Sequence, residues 1–310
     1  MRELEIDEPR PQPAVLSRPR KSNFIEEYWG EGQKPSGVLC NQFYELKWSN
    51  GCLFGCQYCY LRGTFRYSKW RGFQQTVFSN TEEMLQEVDE FLRLEKPYVL
   101  HTGEVSDSLA VPGSEAIMGK LITRFGAQDK HTLLILTKSN NVGSLLDLPH
   151  RGRTVIGFSI NPRKIAERFE VGAASTDERL EAAQRCIDAG YKVMVRVDPM
   201  IPAAGWRPQY ASFFSKLNEM EVHGVVVGTL RAYPGLLHTL SPPLRAMLRE
   251  KDIDGRWHLK KSTRESMYEF AFSSLNFERM GVCKETGARW AGLVKRHGPK
   301  KFFCNCTCNM

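Results

Sequence analysis

From position 43 onward, short runs rich in β-branched and large apolar residues alternate with amphipathic helical stretches, a rhythm that parallel βα units require. The strand-like runs fall at residues 45–48, 98–102, 132–137, 155–160, 192–197 and 225–230. Helices are expected between them at 81–94, 114–125, 176–189 and 208–220, with another at 263–279. The 176–189 stretch carries the fullest signal. Ser175 and Glu178 have capping-box spacing, Leu180, Ala183 and Ile187 recur on one face, and Gly190 supplies a stop. Six parallel strands joined by right-handed crossovers curl into a partial (β/α)6 TIM-type barrel, with functional residues at the C-terminal strand ends. The fold class is therefore α/β.

A chain of 310 residues with 42% hydrophobic content suits one large catalytic domain with tails. Residues 1–37 carry Pro9, Pro11, Pro13, Pro19 and Pro35 among interleaved charges and read as an extended or disordered arm. Residues 38–240 form the expected barrel core, and 241–310 a C-terminal helical extension with a Cys-rich tail. No apolar run approaches the roughly 18 residues that cross a bilayer, and Glu3, Glu5, Asp7 and Glu8 oppose a secretory signal. The expectation is a cytoplasmic protein without membrane contact, and nine cysteines fit a reducing compartment. The formal charge of +8 favours approach to a polyanion. Much of that charge lies in the tails, at Arg10, Arg18, Arg20, Lys21, Lys295, Arg296, Lys300 and Lys301, so charge alone names no partner.

The densest chemistry is the run Asn50-Gly-Cys-Leu-Phe-Gly-Cys-Gln-Tyr-Cys-Tyr60. Cys52, Cys56 and Cys59 supply three thiolates to a four-iron, four-sulfur (4Fe-4S) cluster and leave one iron without a protein ligand. A structural cluster or a structural zinc site normally takes four ligands, so a trio with no fourth nearby suggests a site that receives something else. Zinc binding and incidental thiols are the competing readings. Further polar residues collect at the expected strand ends: Gly103 and Glu104 after the second, Lys138 after the third, Ser159 and Asn161 after the fourth, Asp198 after the fifth. Singly each reads as a loop cap; together on one rim they read as a site.

These residues resemble the radical S-adenosylmethionine enzymes and, within them, the spore photoproduct lyase family of DNA repair enzymes. The likeness spans residues 40–238. Beyond the cysteine loop it rests on Ser106-Asp107, Leu136-Thr-Lys-Ser139, Phe158-Ser-Ile-Asn161, Phe169-Glu170, Arg179-Leu-Glu-Ala-Ala183, Ala189-Gly-Tyr191, Pro199-Met-Ile201, Gly205-Trp206 and Tyr210. The resemblance implies a barrel of the radical S-adenosylmethionine type, one 4Fe-4S cluster and S-adenosylmethionine chelated to the open iron. Its reductive cleavage yields a 5′-deoxyadenosyl radical that removes hydrogen from an unactivated carbon, with a flavodoxin or ferredoxin as electron donor. By position, Gly103 and Glu104 sit where the superfamily handles the methionine amino group, although Thr102 replaces the first glycine of that motif. Lys138 matches a lysine that meets the methionine carboxylate. Ser159 and Asn161 are candidates for the ribose or for strand-end caps, Tyr58 for the adenine or for core packing, and Asp198 for the cofactor site.

Spore photoproduct lyases use a cysteine after the second strand as hydrogen donor, whereas this chain has none between Cys59 and Cys186, and Glu104 takes the matching position. Cys283 is the candidate replacement donor. With Cys304, Cys306 and Cys308 it is alternatively a second site for an auxiliary cluster or metal, or part of a reactive tail. Arg196, Arg231, Tyr233, His238, Trp206 and Tyr210 are candidate substrate-facing groups, since arginine interleaved with aromatics holds phosphate and stacks on bases. Three functions follow: a radical enzyme acting on a nucleic-acid base or lesion, a radical peptide- or protein-modifying enzyme with an auxiliary metal site, and a zinc-binding polyanion interaction module.

Overall fold

The structure, a computed structural model, describes residues 12–28, 37–40, 43–65 and 72–298. In chain order these form the strands β1 (Ala14–Arg18), β2 (Ile25–Tyr28), β3 (Phe43–Leu46), β4 (Ser49–Cys52), β5 (Gln74–Phe78), β6 (Val99–His101) and β7 (Thr132–Thr137). They continue with β8 (Thr154–Ser159), β9 (Lys192–Met200), β10 (Gly224–Thr229), β11 (Arg231–Ala232), β12 (Glu250–Lys251), β13 (Trp257–His258) and β14 (Met280–Val282). Eight of them build one sheet in the order β14-β10-β9-β8-β7-β6-β3-β2. Every neighbouring pair is parallel except β2 with β3. The α/β class and the six expected barrel strands are therefore present, and the barrel is left open.

β8 and β10 are buried at every position, as strands covered on both faces must be. Outside lie helices, among them Ser114–Gly126, Thr176–Asp188, Trp206–Asn218 and Lys261–Ser274. The capping box at Ser175 and Glu178 forms in both directions. Inside, Phe43, Val99, Leu134, Val155, Met194 and Val226 meet as one layer, with Val38, Cys40 and Cys283 filling its open side. Because side chains alternate along a strand, the inward set continues towards the C-terminal ends. Ser159 pairs with Arg196, Arg196 with Val226 and Val226 with Gly281, so one row of inward positions crosses four strands.

Three departures from the sequence reading matter for the site. The first barrel strand is Phe43–Leu46 rather than 45–48, because Trp48 is buried with its Nε1 donating to the Thr102 carbonyl at 2.9 Å, and Ser49–Cys52 joins a separate sheet. The N-terminal arm contains two strands. β1 pairs with β5 and β2 with β3, and the amides of Phe24 and Ile25 donate to the Glu87 carboxylate at 2.8 and 2.7 Å. Main-chain pairing at sheet edges does for this polar stretch what apolar burial does elsewhere. Third, β14 extends the parallel sheet from within the expected C-terminal extension. An antiparallel bridge between Val38 and Thr286 then draws the two sides of the open barrel together.

Candidate active site at the strand ends

The cysteine loop follows β4, and its position is fixed from several sides. The amide of Gly51 donates to the Val105 carbonyl at 2.9 Å, tying the loop to the one after β6. Arg62 donates from Nε to the Cys56 carbonyl at 3.0 Å and from Nη2 to the Gly55 carbonyl at 3.1 Å. Cys52, Cys56 and Cys59 all border one cavity of about 430 Å3 at the strand ends. Burial pushes all three thiols upward; at Cys52 the carboxylate of Asp107 and the other two sulfurs add to it. Three sulfurs so placed ionise readily only around a cationic metal centre. Among the described residues no three His, Cys, Asp or Glu side chains are grouped to hold a single metal ion.

Beside the cysteines, a buried carboxylate organises the third and fourth strand ends. Glu170 Oε1 accepts from the Tyr58 hydroxyl, from Asn161 Nδ2 at 3.0 Å and from Lys138 Nζ at 3.5 Å, while Oε2 accepts from Arg179 Nη2 at 2.6 Å. Burial raises the carboxyl's pKa, but the Lys138 and Arg179 cations outweigh it and hold it down to about 2. Lys138 Nζ also donates to Ser159 Oγ at 2.6 Å. Tyr58, Lys138 and Ser159 thus face the cavity as one hydrogen-bonded set. Asn161 does not: its amide is spent on Glu170 and on the Tyr210 hydroxyl, which donates to Oδ1 at 3.2 Å, and it lies outside the cavity wall. It acts as a strut between Glu170 and Tyr210.

The opposite wall is a second charged network. Glu104 Oε1 lies 3.6 Å from His101 Nε2 and 4.0 Å from Arg196 Nη1, and Oε2 lies 3.7 Å from Lys284 Nζ. Burial opposes ionisation here too, yet Lys284, His101 and Arg196 hold the carboxyl down to about 2. His101 Nδ1 accepts from the Gly103 amide at 3.0 Å, which leaves the ring proton on Nε2, towards Glu104. Tyr60 donates to the Glu104 backbone carbonyl. Asp198 accepts both arms of the Arg231 fork at 2.8 and 2.9 Å, a pairing possible only because residue 228 is glycine: a Cβ there would stand 2.2 Å from Asp198 Oδ1. Cys283 is fully buried, and its Sγ accepts from Arg196 Nη2 at 2.9 Å and Arg231 Nη2 at 3.3 Å. Both arginines border the cavity, so the thiol sits immediately behind its wall.

Of the remaining sequence candidates, Gly103 and Tyr233 border the cavity, whereas His238 and Trp206 do not and Tyr210 is fully buried. Cys304, Cys306 and Cys308 lie outside the described residues, and with them most of the second-site expectation. Sequence reasoning assigned no role to Glu170, Tyr60, Lys284 or Arg256. Glu170 was legible as an acidic residue following an apolar helix face; Lys284 and Arg256 lie in segments with no periodicity to place them. No helix of the described residues is long and apolar enough to cross a membrane.

The family model for spore photoproduct lyase matches residues 32–264. Spore photoproduct lyase of Bacillus subtilis (strain 168) is 30% identical over 190 residues, 61% of this chain and 53% of that protein. The enzyme of Geobacillus sp. (strain Y412MC61) is 27% identical over 237 residues, 76% of this chain and 66% of that protein. The chain thus spans between half and two thirds of these relatives' lengths. A solved structure of spore photoproduct lyase complexed with dinucleoside spore photoproduct superposes with a TM-score of 0.68 at 19% identity, covering 93% of this chain and 81% of that one. A mutant with bound AdoMet and the same dinucleoside gives 0.67 at 20% identity, with coverage of 93% and 81%. At such identities the superpositions speak for the fold alone. The matched family model covers most of the chain, including the cysteine loop, Glu104 and Glu170, and ends before Cys283 and Lys284: the chain belongs to the spore photoproduct lyase family.

Proposed function

We propose that this protein is a radical S-adenosylmethionine enzyme that acts on a nucleic-acid base or base lesion. The single observation that carries the reading is that Cys52, Cys56 and Cys59 border the same cavity as Tyr58, Lys138 and Ser159. The three thiolates would hold a 4Fe-4S cluster, which when bound supplies the electron that cleaves S-adenosylmethionine to methionine and a 5′-deoxyadenosyl radical. A flavodoxin or ferredoxin is the proposed source of that electron.

The chain's own residues bind and orient. Lys138 offers an ammonium at the cavity wall, fixed by Ser159 and Glu170, and neutralises a carboxylate that enters a partly dry site. Tyr58 presents a ring whose hydroxyl is anchored on Glu170, a flat surface for a purine. Glu104, already ringed by Lys284, His101 and Arg196, is better suited to fixing that cationic wall than to receiving a free ammonium group. A carboxylate has no hydrogen atom to return to a product radical. Cys283, reached through Arg196 from the Glu104 wall, is the proposed donor.

Anaerobic purification and reconstitution test the assignment. About four irons per chain and reductant-dependent release of 5′-deoxyadenosine are expected, and Cys56→Ala should abolish both. Zinc retention without cleavage of S-adenosylmethionine would return the reading to a metal-binding interaction module.

A further inference from the structure

Five cationic side chains border the cavity, Lys138, Arg196, Arg231, Arg256 and Lys284, against the three carboxylates Glu104, Asp107 and Asp198. Those carboxylates are committed. Asp107 accepts from Thr137 Oγ1 and from the Lys138 and Leu109 amides, Glu104 faces Lys284, and Asp198 is gripped by Arg231. Arg256 is left over. It lies in the turn between β12 and β13, is only 9% exposed, and its guanidinium donates no hydrogen bond to any described residue. Its closest carboxylate oxygen is Asp254 Oδ2 at 4.0 Å. Asp254 is itself engaged by His258 Nε2 at 3.1 Å from both oxygens and by the Arg256 amide at 2.9 Å. Arg196 repeats the pattern in part: its Nε is buried without a hydrogen-bond acceptor.

A guanidinium cannot shed its charge at neutral pH, and this buried one has only a 4.0 Å contact to a carboxylate already held by His258, which leaves its N–H fork open to a closer partner from outside. Burial and the nearby Arg231 cation both press against the charged state of Arg256, so the positive wall waits for an anion. We infer that Arg256 forms an oxyanion subsite in the cavity and takes a phosphate or carboxylate group carried by the substrate. The planar N–H fork matches both groups. The inference deepens the proposed function by adding a charge requirement to the substrate, and rests on that reading only in assigning the anion to a substrate.

The test uses the anaerobically purified full chain with inorganic phosphate and acetate as probes, against sodium chloride at matched ionic strength. Wild type should gain melting temperature saturably with one probe, and the more effective one identifies the phosphate or carboxylate source. Arg256→Met should melt above wild type in the absence of probe, since it removes a buried charge with only a long contact to Asp254, and its calorimetric Kd for the probe should rise at least tenfold. Arg256→Lys, which keeps charge but not the fork, should fold and weaken binding severalfold. No saturable response in wild type, an unchanged Kd in either variant, or a methionine variant that melts below wild type would overturn the subsite. Release of 5′-deoxyadenosine is measured on the same wild-type preparation; its absence would sink the radical reading and leave the anion result standing.

Discussion

Replacing Glu170 with glutamine removes the charge that Arg179 and Lys138 converge on while keeping the side chain's shape. Arg179 and the Glu170 carboxylate are both fully buried. The gap between the carboxyl's folded value of about 2 and the ordinary 4.5 corresponds to about 3 kcal/mol of native-state stabilisation at neutral pH. An independent route gives a similar size, because stranding one partner of a buried ion pair costs about 3–5 kcal/mol. Glu170→Gln should therefore lose about 3 kcal/mol in anaerobic denaturant unfolding of the cluster-free chain at pH 7. The sign with pH follows from the direction of the shift. A depressed carboxyl stabilises above its unfolded value and loses that stabilisation as pH falls through the folded one, so the difference between wild type and Glu170→Gln should be constant from pH 7 to 5.5 and shrink between about 4.5 and 2. Glu170→Leu combined with Arg179→Met should recover part of the loss, since it removes the fully buried Arg179 charge and leaves only Lys138, at the cavity wall, without its carboxylate. A single substitution costing less than about 1 kcal/mol, or a double variant no better than the single one, would refute the account of Glu170 as an electrostatic hub.

Two further substitutions probe the opposite wall. Cys283→Ser keeps a hydrogen-bond acceptor for Arg196 and Arg231 but offers an O–H bond too strong to give up its hydrogen; iron content should stay at the wild-type level while product formation falls by at least tenfold, and full turnover would remove Cys283 as donor. Gly228→Ala places a methyl group 2.2 Å from Asp198 Oδ1 and must push the Asp198 and Arg231 pair apart, at a cost of about 1–3 kcal/mol by thermal unfolding; a neutral result would mean that the pair shifts freely.

The barrel strands were legible because their signal is local. β7 spans the positions its β-branched run marks, and β8, β9 and β10 fall within a few residues of theirs. The cysteine trio was legible for the same reason, its three ligands lying within one short loop. What escaped depends on pairing between distant segments. β14 has three residues with a glycine at its centre, too short for any periodicity, and becomes a strand only because Val225 and Val227 offer it a partner. β2 reads Ile-Glu-Glu-Tyr, an edge sequence held by β3 and by Glu87 62 residues away. The Glu170 hub joins residues from the cysteine loop, two strand ends and the helix Thr176–Asp188, and no spacing rule connects Tyr58 with a carboxylate 112 positions later.

Those distant pairings also explain why Glu104 can exist where it does. A lone carboxylate in a site 4% exposed would be neutral or ruinous to stability, because burial alone drives its pKa upward. It is ionised because β14 carries Lys284 to within 3.7 Å and β9 carries Arg196 to within 4.0 Å. The same strand end that delivers Lys284 delivers Cys283 as its preceding residue, in contact with the same Arg196. A carboxylate after the second barrel strand, a lysine after β14 and a thiol behind the arginines are therefore one electrostatic unit. Changing Glu104 to cysteine alone would leave Lys284 and Arg196 without their shared carboxylate, so a thiol at that position requires the cationic wall to change with it.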